Sequence, residues 1–261
     1  MFTTNPFAAL SASVPSAVMQ TYVAIMILLV VSGTLLDIVH KKSAKYFFDN
    51  WRNAKRQSTR RISGAEMMWL AVQTVTEALA SGEFCNTRRR IAHLLTMYGF
   101  LAYVGATIIM VFAYPTIAAV TPPIVIALWW IGALIACVGG YWFWFFIRVD
   151  VVAEGNPRFR IVHADLFVVS LLASMTLGLV WAYTQSAGGT TWPYVFLALY
   201  LIATTVLFGS VPWSKFSHMF YKPAAAFQKR IEEANGSRRN LPRPADKTAT
   251  LGSARRQPQH Y

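Results

Sequence analysis

The sequence predicts an all-α integral membrane protein, a bundle of five transmembrane helices with the N-terminus outside and the C-terminus in the cytoplasm. Of its 261 residues, 55% are hydrophobic and 13% are charged, whereas an average globular protein has roughly 25% charged residues. Five apolar stretches are long enough to cross a bilayer, which takes about 20 helical residues. This composition excludes a disordered protein, a secreted disulfide scaffold and an ordinary cytosolic enzyme.

The five predicted spans are separated by loops that alternate in charge. The spans cover residues 19–39, 91–112, 123–147, 161–183 and 194–211. The first span lacks the basic region and the cleavage site of a signal peptide, so we expect it to belong to the mature protein.

All 24 Lys and Arg residues fall on one side of these spans. Eleven lie in residues 40–90, three in 148–160 and ten after Pro212, whereas residues 1–18, 114–122 and 184–193 have no charged residue. Because basic loops stay in the cytoplasm, this asymmetry predicts the orientation and a bacterial inner membrane location. The net charge of +13 then reflects topology and contact with anionic lipid rather than nucleic acid, with an acidic soluble partner as the alternative.

The chain divides into an outer segment (1–18), a membrane domain (19–223) and a basic cytoplasmic tail (224–261). The tail is rich in Pro, Gly, Ser and Arg, so we expect it to be largely disordered. Residues 40–90 form a cytoplasmic loop that is too long for a plain turn. Within it, Ser63 and Glu66 have the spacing of a capping box, which predicts a helix near 64–81. This helix either lies on the membrane interface or covers the cytoplasmic end of the bundle.

Four histidines lie at the cytoplasmic ends of the spans. His40 closes the first span, His93 opens the second, His163 opens the fourth and His218 follows the fifth. Imidazole is the usual axial ligand of b-type haem in helical membrane proteins, because a neutral nitrogen binds iron without burying a charge. Spacing alone leaves two interpretations open, a haem held by two of these histidines and histidines that simply lie at the headgroup level.

Other chemistry is sparse. The sequence has no nucleotide-binding loop and no zinc-protease or serine-hydrolase motif. Asp37 and Asp165 are the only acids near spans, and we interpret them as solvated or Arg-paired carboxylates rather than a proton relay. Cys85 and Cys137 are too few to ligate an iron–sulfur cluster, so we interpret them as ordinary thiols.

Two segments resemble a known family. Residues 85–100 (CNTRRRIAHLLTMYGF) and 212–223 (PWSKFSHMFYKP) are similar to the start of the second span and the exit from the fifth span in five-helix cytochrome b subunits. These include the nitrate reductase gamma subunit and the membrane subunits of the quinone-interacting and sulfite-reductase-associated complexes. The resemblance covers roughly residues 19–225, and within the family it points to the membrane anchors associated with dissimilatory adenylylsulfate reductase.

The resemblance implies a cytoplasm-side haem b between the second and fifth spans, with His93 and His218 as its ligands. The family's second, outer haem uses deeper histidines on the same two helices. Here those positions hold Tyr103 and Tyr200, which are not b-haem ligands, so the resemblance implies one haem rather than two. A second pair at the inner depth, His40 and His163, is the alternative.

The function implied is that of a non-catalytic electron-transfer subunit. It would anchor a soluble flavin and iron–sulfur oxidoreductase of the adenylylsulfate reductase type at the cytoplasmic face and link it to the quinone pool. One alternative is a haem-free scaffold that tethers the same enzyme. Another is a small transporter, which would show broken spans or buried mid-span charge. Only Gly33 and the Gly139–Gly140 pair come close to that pattern.

Overall fold

The computed structural model describes residues 3–40, 43–82, 86–148, 165–212 and 218–237, without the side chains of residues 43–44 and 218–221. In these ranges all regular structure is helical. The elements are α1 Pro6–Leu10, α2 Ser16–His40, α3 Ser43–Arg56, α4 Gly64–Leu79, α5 Thr87–Phe112, α6 Pro123–Trp142 with a π-helical turn Phe143–Ile147, α7 Leu166–Ser186, α8 Trp192–Gly209 and α9 His218–Ala234.

Five helices are long and apolar enough to cross a membrane. They are α2, α5, α6 with its π-helical turn, α7 and α8. The predicted all-α class and the predicted number of spans are therefore confirmed, with bounds that differ by a few residues. The predicted start of the fourth span, 161–164, lies outside the described residues.

The helices α5, α6, α7 and α8 pack in chain order, and α2 lies against both α5 and α8. Glycine allows the closest of these contacts, because a Cβ atom at Gly99 of α5 would lie 2.6 Å from the carbonyl oxygen of Gly132 on α6. Small residues commonly bring membrane helices this close. The α2 helix is held by side chains, since Gln20 donates to the Val111 carbonyl at 3.2 Å and Tyr22 donates to the Leu201 carbonyl at 2.9 Å.

The short α1 helix closes one end of the bundle, here named the α1 end. Asn5 begins it by accepting hydrogen bonds from the backbone N–H groups of Phe7 and Ala8. The same side chain donates to the Tyr114 carbonyl at 3.0 Å. Phe7 is buried, with its ring 6.1 Å from that of Trp129 and 5.2 Å from that of Trp181. The N-terminal segment is thus part of the core.

At the opposite end, named the α4 end, α4 and α3 both pack against α9. Trp51 of α3 stacks on Phe227 of α9 at 5.9 Å, and Arg230 of α9 forms an ion pair with Glu77 of α4.

The helix predicted near 64–81 is confirmed as α4, and Ser63 caps it by accepting the Glu66 N–H at 3.2 Å. The first part of the tail that we predicted to be largely disordered, residues 224–234, belongs to α9, and residues 238–261 lie outside the description.

Candidate functional site

His93 lies in the second turn of α5 and is half-buried. Its Nδ1 atom is 2.9 Å from the hydroxyl oxygen of Ser81, just beyond the end of α4. Ser81 is itself buried and has a φ of 50°, a left-handed conformation that few residues other than glycine adopt. The chain therefore makes a tight turn whose product is a hydroxyl group directed at the imidazole.

Two further side chains of α5 fix this turn. Arg90 donates from Nε to the Ala80 carbonyl at 2.9 Å, and the Tyr98 hydroxyl donates to the Leu79 carbonyl at 3.0 Å. The last carbonyls of a helix lack partners within that helix, so α5 satisfies the end of α4. As a result, Ser81 is held in place relative to His93, and the hydrogen bond between them restricts the orientation of the ring.

The other predicted haem ligands are placed as follows. His40 is the last residue of α2 and is exposed. His218 is the first residue of α9, but its side chain lies outside the description, and so does the whole of His163. Among the described residues no group of three or more His, Cys, Asp or Glu could hold a metal ion, a pattern that a two-histidine haem site does not require.

His93 fits the chemistry of an axial ligand. Metal-binding histidines usually hydrogen-bond through the second ring nitrogen, which fixes the tautomer and the ring orientation. Ser81 provides that bond at Nδ1, so Nε2 is the atom that would coordinate iron. Helical spacing puts His93 on the same face of α5 as Phe100, whose ring lies 6.4 Å from that of Phe208 on α8. This face is therefore directed at α8, the span that precedes His218.

At the depth where the family places its second haem, the two tyrosines meet directly. The Tyr103 hydroxyl donates to the Tyr200 hydroxyl at 2.9 Å, and both side chains are buried. Trp129 lies 5.1 Å from Tyr103, and Trp181 stacks on Tyr200 at 5.7 Å. Two axial ligand atoms of one haem are separated by roughly 4 Å with iron between them. The tyrosine pair leaves no room for that arrangement, so these residues do not fit a second haem.

A cleft of about 230 Å³ lies beside the tyrosine pair, between α2 and the neighbouring α5 and α8. Its wall is almost wholly apolar, and Phe7 borders it from the α1 end. Ile27 and Val31 line it from α2 and are 42% and 51% exposed, so the cleft opens sideways toward the surroundings of the bundle. A cavity of roughly 150 Å³ already accommodates benzene. The cleft can therefore hold an apolar ring or part of a lipid chain.

The two edge carboxylates are buried rather than solvated. Asp165 forms an ion pair with Arg148, and their side chains are 13% and 7% exposed. Arg148 also lies over the Trp144 ring, 4.1 Å from its centroid. The Arg-paired interpretation is thus confirmed for Asp165. Asp37 is 2% exposed, which excludes the solvated interpretation at that position.

Sequence reasoning missed the functional importance of Ser81 and of the aromatic cluster. Ser81 has no motif, because its role depends on a backbone turn and on α5. Tyr103 and Tyr200 were predicted only as positions that lack a ligand, and equal depth on two facing helices was the available signal for their contact. Cys137 is half-buried with its sulfur 3.7 Å from the Thr176 hydroxyl, which agrees with an ordinary thiol, and Cys85 lies outside the description.

The chain is similar to citrate utilization protein B of Escherichia coli, with 28% identity over 167 residues. The similar region makes up 60% of this chain and 41% of that protein, so the chain spans less than half the length of the relative it matches. No family model matches the chain, and no solved structure matches it.

Proposed function

We propose that this chain is the membrane-anchoring electron-transfer subunit of an oxidoreductase complex and carries one b-type haem near its cytoplasmic face. The observation that supports this most is the His93 imidazole, which Ser81 holds at 2.9 Å on the face of α5 directed at α8. A histidine that only occupied the headgroup level would not need a buried hydroxyl in a left-handed turn to orient it.

A single haem is favoured because the tyrosine contact occupies the second position. The bound haem would supply a one-electron carrier. His93 would hold it from α5, and His218 is the proposed ligand from the other side. Ser81 would orient the first of these ligands, and the buried rings of Phe100 and Phe208 would keep water from the side of the site that faces the core.

The quinone pool is the proposed exchange partner on the membrane side. The cleft beside the tyrosine pair supports this, because it opens sideways and its wall is apolar. Two hydroxyls carry two protons, and the bond between Tyr103 and Tyr200 uses one of them. The pair can therefore donate the other proton to an acceptor oxygen in the cleft.

The proposed soluble partner is a flavin and iron–sulfur oxidoreductase that docks at the basic α4 end, which we take as cytoplasmic. The family resemblance suggests an adenylylsulfate reductase type of enzyme. The similarity to citrate utilization protein B suggests instead an enzyme that acts in the use of citrate. These two candidates share the anchor but differ in the substrate of the partner.

Copurification followed by an electron-transfer assay tests the proposal. Full-length protein is isolated from its native membrane in mild detergent, and the copurifying proteins are identified by mass spectrometry. The partner is then reduced, excess reductant is removed, and reoxidation by a soluble quinone analogue is followed optically. We expect a flavin or iron–sulfur enzyme that is reoxidised only when the anchor is present.

A His93→Ala variant separates this function from a haem-free scaffold, with the exposed His40→Ala as the matched control. An electron-transfer subunit loses quinone-dependent reoxidation in His93→Ala while the partner still copurifies. If both variants reoxidise the partner as fast as the unmodified chain, the chain is a scaffold. If no redox enzyme copurifies under any condition, the anchor function is wrong.

A further inference from the structure

One face of α4 is apolar and exposed. Met68, Val72, Val75 and Leu79 are spaced by four, three and four residues, and each is between 47% and 69% exposed. These four residues are named the α4 stripe. The other side of the helix contacts protein, where Arg230 of α9 bonds to Gln73 and Glu77. Within the described part of the chain, no other element covers the stripe.

The α4 stripe continues the outward face of a membrane span. Its last residue, Leu79, accepts a hydrogen bond from Tyr98 of α5. Tyr98 lies on an exposed side of α5 together with Ile91 and Leu101, which are 42% and 48% exposed. On a membrane-spanning helix such apolar residues contact lipid. The end of α4 is thus level with the first turns of that span, at the depth of the membrane interface.

The charges around α4 match an anionic lipid surface. The helix has only two charged residues, and both acids are paired, Glu66 with Arg60 and Glu77 with Arg230. Basic residues flank it on both sides, Arg60 and Arg61 before it and residues 88–90 after it. Trp69, which borders the stripe, is 59% exposed. An apolar face with a tryptophan and flanking basic residues is typical of helices that lie in the interface plane.

We propose that α4 lies in the interface of an anionic membrane leaflet, with the α4 stripe among the acyl chains, and that this docking positions His93 through Ser81. The lipid contact follows from the exposed surface itself. Its consequence for haem binding rests on the proposed function. A leaflet that releases α4 would move the Ser81 hydroxyl away from the imidazole, because the turn at Ser81 directly continues α4.

Tryptophan quenching tests the lipid contact. Full-length protein is reconstituted into vesicles of phosphatidylcholine and phosphatidylglycerol whose acyl chains are brominated near the headgroup. The fluorescence contributed by Trp69 is taken from the difference between the unmodified chain and Trp69→Phe. We expect that contribution to be strongly quenched, and less so in pure phosphatidylcholine. The Trp51→Phe difference is the control, because Trp51 stacks on Phe227 within the protein. A Trp69 contribution that the brominated lipid leaves unquenched would overturn the docking.

Chemical modification tests the link to His93 without requiring haem. The rate at which diethyl pyrocarbonate modifies His93 is measured by mass spectrometry, with the exposed His40 as internal standard. Val72→Asp/Val75→Asp should release α4 from the lipid and raise the His93 rate several-fold, and Ser81→Ala should have a similar effect. Gln57→Asp adds charge on an exposed residue outside α4 and should leave the rate unchanged.

The unmodified chain provides a second measurement that does not depend on folding of a variant. Its His93 rate should be higher in pure phosphatidylcholine than in the anionic mixture. If the rate is the same in both lipids and in the stripe variant, α4 docking does not position His93. That result would leave the anchor function standing, because partner copurification and haem content are measured separately.

Discussion

A buried serine in a left-handed turn is costly, since a non-glycine residue with positive φ is strained by about 1–3 kcal/mol. Ser81 accepts this conformation while its hydroxyl bonds to His93. A glycine would remove the strain but also the hydroxyl. The presence of serine therefore supports a role for the hydroxyl itself.

The first prediction at this scale concerns Ser81. Ser81→Ala and Ser81→Gly both remove the hydroxyl, and loss of such an orienting group typically costs about 10- to 100-fold in metal-site affinity. We expect both variants to retain haem more weakly in titrations with added haem. Because Ser81→Gly also relieves the backbone, it should be at least as stable as Ser81→Ala. Haem binding that is unchanged in both variants would show that the hydroxyl does not orient the ligand.

The tyrosine pair leads to a second prediction. Tyr103→Phe leaves the Tyr200 hydroxyl without its donor, which should lower the free energy of unfolding by roughly 1 kcal/mol. The double variant Tyr103→Phe/Tyr200→Phe should cost less than the sum of the single variants, because both remove the same bond. Thermal unfolding in detergent measures this, with the exposed Tyr183→Phe as control. Additive effects would mean that the two hydroxyls are not coupled.

Among the helices, the α5–α6 pair depends on missing side chains, and this gives the third prediction. Gly99→Leu must push α5 and α6 apart, because even a Cβ atom there would lie 2.6 Å from backbone atoms of α6. Overpacking of this kind typically costs about 1–3 kcal/mol or more. Gly105 lies on the same helix with no atom within 4 Å of its Cβ position, so Gly105→Leu should fold normally. Equal expression and melting temperatures for the two variants would contradict this packing.

Hydropathy predicted the five spans because lipid selects for long apolar runs, and the capping box at Ser63 predicted α4. The helices α3 and α9 were not predicted. Both are polar on average, and α9 contains Pro223, so each resembles a solvated segment until its partner is known. Their helical state depends on tertiary contacts such as the stacking of Trp51 on Phe227, which a single chain pattern does not reveal.

For the whole molecule, the segregation of all 24 basic residues gives the fourth prediction. Exposed charges interact over about 8 Å at physiological ionic strength and only about 3 Å at 1 M salt. If charge attraction holds an acidic partner at the α4 end, salt near 1 M should release the partner while this chain stays in the membrane. Deletion of residues 238–261 should weaken the association without affecting insertion. A partner that stays bound in high salt would indicate an apolar interface instead.

The reduced-minus-oxidised optical spectrum of the purified, full-length protein tests the central claim most directly. We predict the bands of a b-type haem, at one haem per chain, which disappear in His93→Ala and persist in the matched His40→Ala variant. The single haem follows from the contact between Tyr103 and Tyr200, and the difference between the two variants follows from the bond between Ser81 and His93. A spectrum without haem bands, or one that His93→Ala leaves unchanged, would contradict the account.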